Sequence, residues 1–197
     1  MADAPAYIRE FKKLLKGDVN AATLANLEAE LYGASDRARA VLLASFVENA
    51  LERYLKSKLR PTFLSADYRH LFGIEAPLGT FSAKIRVVYA FNWCGPDTRH
   101  DLDLIRELRN GFAHSRNSFE FVTPEVAAMC RELRAPDAPG SFIPHSYLAT
   151  VDHEKLGEAS DKSHPRTRFL SACHTISERL LSNAGVSGIS RYVLDLP

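Results

Sequence analysis

Residues 101–115 read DLDLIRELRNGFAHS, and the fold class follows from the spacing within this stretch. Ile105, Leu108 and Phe112 recur at helical intervals, so one face enters a core. Asp103, Arg106, Asn110 and His114 stand at i, i+3, i+7 and i+11, a single polar stripe along another side. Gly111 lies one turn before Ser-Arg-Asn, so the spacing predicts a helix that stops near His114. It closes in a compact polar cluster of Arg109, Asn110, His114 and Ser115. Such a cluster suits chemistry, a partner, or a plain helix cap.

Working outward, Gly95-Pro96-Asp97 is a turn, with Asp97 placed to cap the helix that follows. Before it, residues 81–93 read as a helix opened by Thr80 or Ser82. Phe81, Ile85, Val88, Tyr89 and Trp93 are its expected core side, and Lys84 and Arg86 its exposed side. The two helices form an antiparallel hairpin. Residues 62–79 are turn-rich, but Phe63, Leu64, Tyr68, Leu71 and Phe72 give them the apolar mass to dock as a short helix. The longest helical pattern starts at Ser35 or Asp36 and runs to Leu59, before Pro61. Its apolar face is Leu43, Phe46, Val47, Ala50, Leu51 and Tyr54. Glu48 interrupts that face. Either it points to solvent, or it is a partly buried carboxylate that needs a partner such as Arg109. Two shorter helices are expected at 5–16 and 21–32.

Downstream, Phe119 and Phe121 alternate with polar neighbours as a brief extended piece. Thr123-Pro124 starts a helix with Val126, Met129, Cys130 and Leu133 inward. Residues 134–165 carry scattered Pro and Gly and read as a long irregular connection, pinned in part by Phe142, Ile143, Tyr147 and Leu148. A last helix spans 166–183 and ends at Gly185. No repeat or change of composition divides the chain. The expectation is an all-α single domain over 1–197, a bundle of six or seven helices.

Composition narrows the function. Charged residues are 25% of the chain and the formal net charge is +1, which argues against a duplex-DNA binder that works by neutralising phosphates. No helix-turn-helix with a basic recognition helix stands out. Three widely spaced cysteines fit reduced thiols rather than a disulfide framework. Seven scattered histidines show no metal-ligand spacing, so neither a metal nor another cofactor is expected. No Gly-rich phosphate loop is present. Cys173-His174 is not a catalytic pair, because neighbouring helical side chains point about 100° apart. No apolar run of membrane-spanning length and no secretory leader are seen, so the cytoplasm is the expected location.

The segments PLGTFSAKIRVVYAF (77–91), DLDLIRELRNGFAHS (101–115) and FEFVTPEVAAMCREL (119–133) resemble the mannitol operon repressor (MtlR-like) family, over roughly residues 40 to 133. The resemblance implies a helical, cytoplasmic regulator of transcription. Arg109-Asn110 followed by His114 also resembles the RNxxxH motif of the HEPN superfamily. Its nuclease members are metal-independent endoribonucleases, often dimers with paired motifs, and its inactive members serve as regulatory modules. A HEPN-like core is therefore implied.

Two functions follow. As a nuclease, His114 would be the general base on a ribose 2′-hydroxyl, Arg109 would stabilise charge on the phosphate, and Asn110 would orient one or the other. Five residues on a regular helix set Arg109 and His114 about 140° apart, so they would meet only if the helix unwinds at Gly111 or a second copy supplies one of them. As a regulator, the cluster is architectural, with Glu48, Asp103, Arg106 and Ser115 in support. The reading preferred from sequence is a regulatory homodimer acting through a protein partner rather than by direct operator binding. RNA is the other possible partner.

Overall fold

The computed structural model describes residues 31, 34–59, 65–144 and 156–185. The helices expected at 5–16 and 21–32 lie outside these residues, as do Tyr147, Leu148 and the tail after 185, except that Leu31 is buried in the core. Every regular element among the described residues is helical, and none is a strand.

The central helix α1 spans Asp36–Ser57, and Ser35 caps it by accepting the Ala38 N–H at 3.2 Å. It follows that Ser, not Asp36, is the cap, which frees Asp36 for another task. Helix α2 is Ser65–Phe72, α3 Phe81–Ala90, α4 Pro96–His114 and α5 Pro124–Arg131. A 3₁₀ turn at Ala135–Asp137, a short α6 at Leu156–Ser160 and α7 at Pro165–Asn183 complete the order. Helix α1 lies against α7, α4 and α3. Leu43, Val47 and Leu51 of α1, Ile85 and Val88 of α3, Leu102, Ile105 and Phe112 of α4, and Phe169 and Ile176 of α7 share one buried core. Apart from Leu102, these are positions that helical spacing assigns to the inside.

The Leu-Gly-Thr-Phe-Ser segment has a local explanation. The chain folds back with Leu78 N–H donating to Leu71 C=O at 2.8 Å. A Cβ on Gly79 would stand 2.3 Å from the Gly73 carbonyl oxygen and 2.6 Å from that of Ile74, so only glycine fits. Thr80 then caps α3 by accepting from Ala83 N–H, and Phe81 enters the core.

Several expectations are corrected. Helix α3 ends at Ala90, and Asn92 takes a left-handed φ of 59°; Tyr89, in the last turn, is 37% exposed rather than in the core. Lys84, expected outside, is buried at 4% exposure. It donates to Glu48 at 2.9 Å and pairs with Glu52 at 2.8 Å. Glu48 therefore answers to Lys84 on α3, not to Arg109. Phe119 and Phe121 do not alternate along a strand: both rings close on Phe112, with centroids 4.6 and 5.0 Å away. The chain turns there because the Thr123 hydroxyl accepts the Glu120 N–H.

The connection after α5 is held down where it is described. The Asp101 carboxylate receives the backbone N–H groups of Arg134 and Ala135, the latter at 2.7 Å. Arg168 on α7 donates to the Leu133 and Cys130 carbonyls and pairs with Asp137. Lys162 donates to Ser141 and to the Pro136 carbonyl.

Candidate functional site

Helix α4 carries the predicted cluster, and the structure shows how it is built. Gly95 is the N-cap and Pro96 fills the first position, where its missing N–H costs nothing. Asp97 sits inside the first turn and pairs with Arg134 rather than capping. Ile105, Leu108 and Phe112 are buried as expected. The helix stays regular through Gly111 and ends when Ser115 N–H donates to Gly111 C=O at 3.0 Å.

That regularity decides where the site residues point. Arg109 is half-buried and donates to the Asn110 side-chain oxygen at 3.0 Å. His114 is exposed at the helix end, with no hydrogen-bond partner among the described residues. With no unwinding at Gly111, Arg109 and His114 of one chain project about 140° apart. Asp103 lies 3.7 Å from both Arg99 and Arg106, and Arg106 reaches Glu107 at 2.6 Å. This stripe is a solvated string of ion pairs, worth fractions of a kcal/mol each. Ser115 turns its hydroxyl onto Asn117, donating to its carbonyl and accepting from its N–H. Glu48, the remaining residue expected in support, pairs with Lys84.

Beyond Ser115 the chain runs into a feature that sequence reasoning missed. A cleft of about 640 Å³ is lined by Ala34, Ser35, Asp36, Arg37, Arg39, Arg116, Ser118, Phe119, Glu120 and Arg166. It joins the start of α1, the segment after α4 and the start of α7. Asp36 is its keystone: buried, it accepts from Phe121 N–H at 2.9 Å and from Arg166 Nε at 2.8 Å. Arg37 ties α1 to the end of α4 by donating to the Ser115 carbonyl at 2.9 Å. The arginines come from three distant parts of the sequence, so no local motif announces them.

At the opposite end of α4, roughly 25 Å away at 1.5 Å per residue, aromatic side chains reach the surface. Phe91 is 63% exposed and stacks on Trp93, with centroids 4.9 Å apart and planes 21° apart. The Tyr54 hydroxyl donates to the Trp93 carbonyl at 3.0 Å and fixes this turn to α1. Arg99 lies over the Tyr89 ring at 4.3 Å. Periodicity placed Tyr89 and Trp93 in the core; Trp93 does pack against it, whereas Tyr89 is 37% exposed.

The remaining reactive side chains are buried. All three cysteines are free and buried, and burial pushes the Cys130 thiol up to about 12. Burial likewise pushes His174 down to about 4. Among the described residues no group of His, Cys, Asp or Glu is arranged to hold a metal, and no helix is long and apolar enough to cross a membrane.

No family model and no curated protein matches this sequence. A chain in the X-ray structure of the MtlR–HPr complex from Escherichia coli has a similar structure, with a TM-score of 0.56 and 18% identity. The likeness is one of fold. It covers 83% of this chain and 99% of that one. The MtlR-like resemblance read from the sequence is thus matched at the level of fold. The HEPN motif gains no such support.

Proposed function

We propose that this chain is a regulatory protein-interaction module of the mannitol-repressor kind, which acts on transcription by holding a partner protein rather than operator DNA. The observation that carries the reading is the exposed Phe91 ring, stacked on a partly buried Trp93 and standing beside Tyr89 and Arg99. Aromatic residues and arginine at a protein surface are the composition of interface hot spots. The turn that carries them is fixed to α1, so little entropy is lost on docking. The similar fold comes from the structure of a complex of MtlR with HPr, which supports a protein partner. Three buried free thiols suit a reducing cytoplasm, and a homodimer completes the proposal.

The test is calorimetric titration of the purified chain with HPr, beside Phe91→Ser and Tyr89→Ser. Both positions are exposed, so the variants keep their thermal stability within about 0.5 kcal/mol. Binding at micromolar Kd that weakens at least tenfold in Phe91→Ser supports the reading. Binding that ignores both substitutions moves the interface elsewhere, and the absence of binding removes HPr as the partner.

A second reading, a metal-independent endoribonuclease using Arg109, Asn110 and His114, is favoured by one observation. His114 is exposed, and the arginine-lined cleft begins two residues beyond it. Since Arg109 and His114 diverge on one helix, this activity needs two copies of the chain. RNA cleavage in EDTA that vanishes in His114→Ala and in Arg109→Ala would establish it.

A further inference from the structure

We propose that the cleft between the start of α1, the segment after α4 and the start of α7 is a binding site for a small phosphate monoester. The argument begins with charge. Arg37, Arg39, Arg116 and Arg166 line the cleft against only two carboxylates, Asp36 and Glu120. Asp36 is already spent, buried between the Phe121 N–H and Arg166 Nε. Among the described residues Glu120 forms no ion pair, and neither Arg37 nor Arg116 meets a carboxylate.

The donors are also unspent. Arg37 gives only one terminal nitrogen, and gives it to backbone carbonyls of Ser115 and Asn117. Among the described residues its charge meets no acid. Arg166 uses Nε on Asp36 and, among the described residues, gives neither terminal nitrogen. Arg116 is exposed and makes no hydrogen bond among the described residues. Each guanidinium offers five N–H donors in a planar fork matched to phosphate oxygens. A monocarboxylate satisfies one fork. Three arginines on one cleft fit a dianion with three terminal oxygens.

Two of these arginines are held in place. The Asp36 carboxylate fixes Arg166, and the Ser115 carbonyl fixes Arg37, so the site is largely preformed before a ligand arrives. A volume of about 640 Å³ suits a small molecule rather than a duplex. The cleft is distinct from the aromatic surface at the other end of α4, and this inference stands whether or not that surface binds a protein.

The experiment is titration of the full chain with inorganic phosphate and with glycerol 3-phosphate, against sodium chloride at matched ionic strength. Arg116→Ala and Arg37→Ala are run beside it. A labelled single-stranded RNA oligonucleotide forms a further arm. The expected result is saturable binding of glycerol 3-phosphate at one site per chain, tighter than chloride. Arg116→Ala, which removes no internal bond, weakens it at least tenfold without lowering the unfolding temperature. Phosphate binding equal to the ester shows that the site reads the dianion alone, and tighter ester binding shows that it also reads the organic group; both support the proposal. Phosphate and ester no better than chloride overturn it, as does binding unchanged in both variants. Arginine-dependent binding of RNA without binding of either small anion also overturns it and reassigns the cleft to a nucleic-acid backbone.

Discussion

Replacing Lys84 by Met removes one charge from the interior and keeps the stem that fills its place. The ammonium sits 2.9 Å from Glu48 and 2.8 Å from Glu52, with its side chain 5% exposed. Taking one partner from a buried ion pair leaves the other uncompensated, at a cost of about 3–5 kcal/mol. Two facts place this case at the lower end. The glutamates retain 17% and 23% exposure, and Lys56 still holds Glu52 at 2.6 Å. The expected loss is roughly 3 kcal/mol at pH 7, read by urea unfolding followed by circular dichroism. That corresponds to a fall in Tm of roughly 6–12 °C for a chain of this size. The loss is also pH-dependent. Burial alone would raise the Glu52 carboxyl, but hydrogen bonds from Lys56 and Lys84 outweigh it and hold Glu52 below its ordinary value. A depressed carboxylate stabilises the fold above its unfolded value of 4.5, and that contribution fades as pH falls through the lower folded value. The Lys84→Met penalty should therefore be largest near neutrality and shrink as pH falls through the lowered Glu52 value. Adding Glu48→Gln should return part of it. A variant within about 0.5 kcal/mol of the parent at pH 7, or a penalty that does not change with pH, would refute the reasoning.

Other expectations can be measured on the same preparation. His174, pushed by burial from 6.5 to about 4, takes up its proton first in the unfolded chain; stability should fall by roughly 3 kcal/mol as pH drops from about 6.5 to 4, and His174→Gln should flatten that slope. Asp101→Ala leaves the Arg134 and Ala135 amides without their acceptor and should cost about 2–4 kcal/mol, with Asp101→Asn intermediate because its oxygen still accepts; equal stabilities would mean that water replaces the carboxylate. Gly111→Ala should stabilise the chain by about 0.5–1 kcal/mol, since the added Cβ meets only the Phe119 ring at 3.8 Å; destabilisation would show that the helix unwinds there, as a single-chain nuclease site requires. A thiol reagent at pH 8 should label none of the three cysteines in the native chain and all of them in guanidinium, and rapid native labelling would contradict their burial.

Much of the helical frame is legible locally. Ser35 and Thr80 stand where caps are needed, Gly185 takes the left-handed φ that closes α7, and the α4 core face follows directly from its spacing. Lys84 departs from the expectation that a lysine is solvated by type. Its position said otherwise: with Phe81, Ile85 and Val88 it falls on the inward face at i, i+3, i+4 and i+7. Glu48 and Glu52, one turn apart on α1, were the waiting partners. The Phe119–Phe121 alternation misled because two rings on one ring look, in sequence, like two rings on one strand face. The long connection after α5 was expected to be irregular. What holds it, Asp101 and Arg168, lies 33 and more residues away and leaves no local trace. The same holds for the cleft, whose arginines are gathered only by the packing of α1, α4 and α7.

The distribution of acids explains how a nearly neutral chain can still present an undercompensated basic cleft. A formal charge of +1 argues against a broad phosphate-neutralising surface, but it counts charges without asking which are engaged. Asp101 is buried as an acceptor for backbone amides. Glu48 and Glu52 close over Lys84. Asp137, held below its ordinary value by its hydrogen bond from Arg168, fastens the 3₁₀ turn to α7. Asp36 is committed to Phe121 and Arg166. Each of these carboxylates joins elements that are distant in sequence, and each is thereby committed to a partner within the fold, Asp137 doing so from the surface. Arg37 and Arg116 have no such acid partner among the described residues, and they stand together on one cleft. The charges that build the fold and the charges left over to meet a ligand are thus separated in space, and this separation, rather than net charge, sets what the surface can bind.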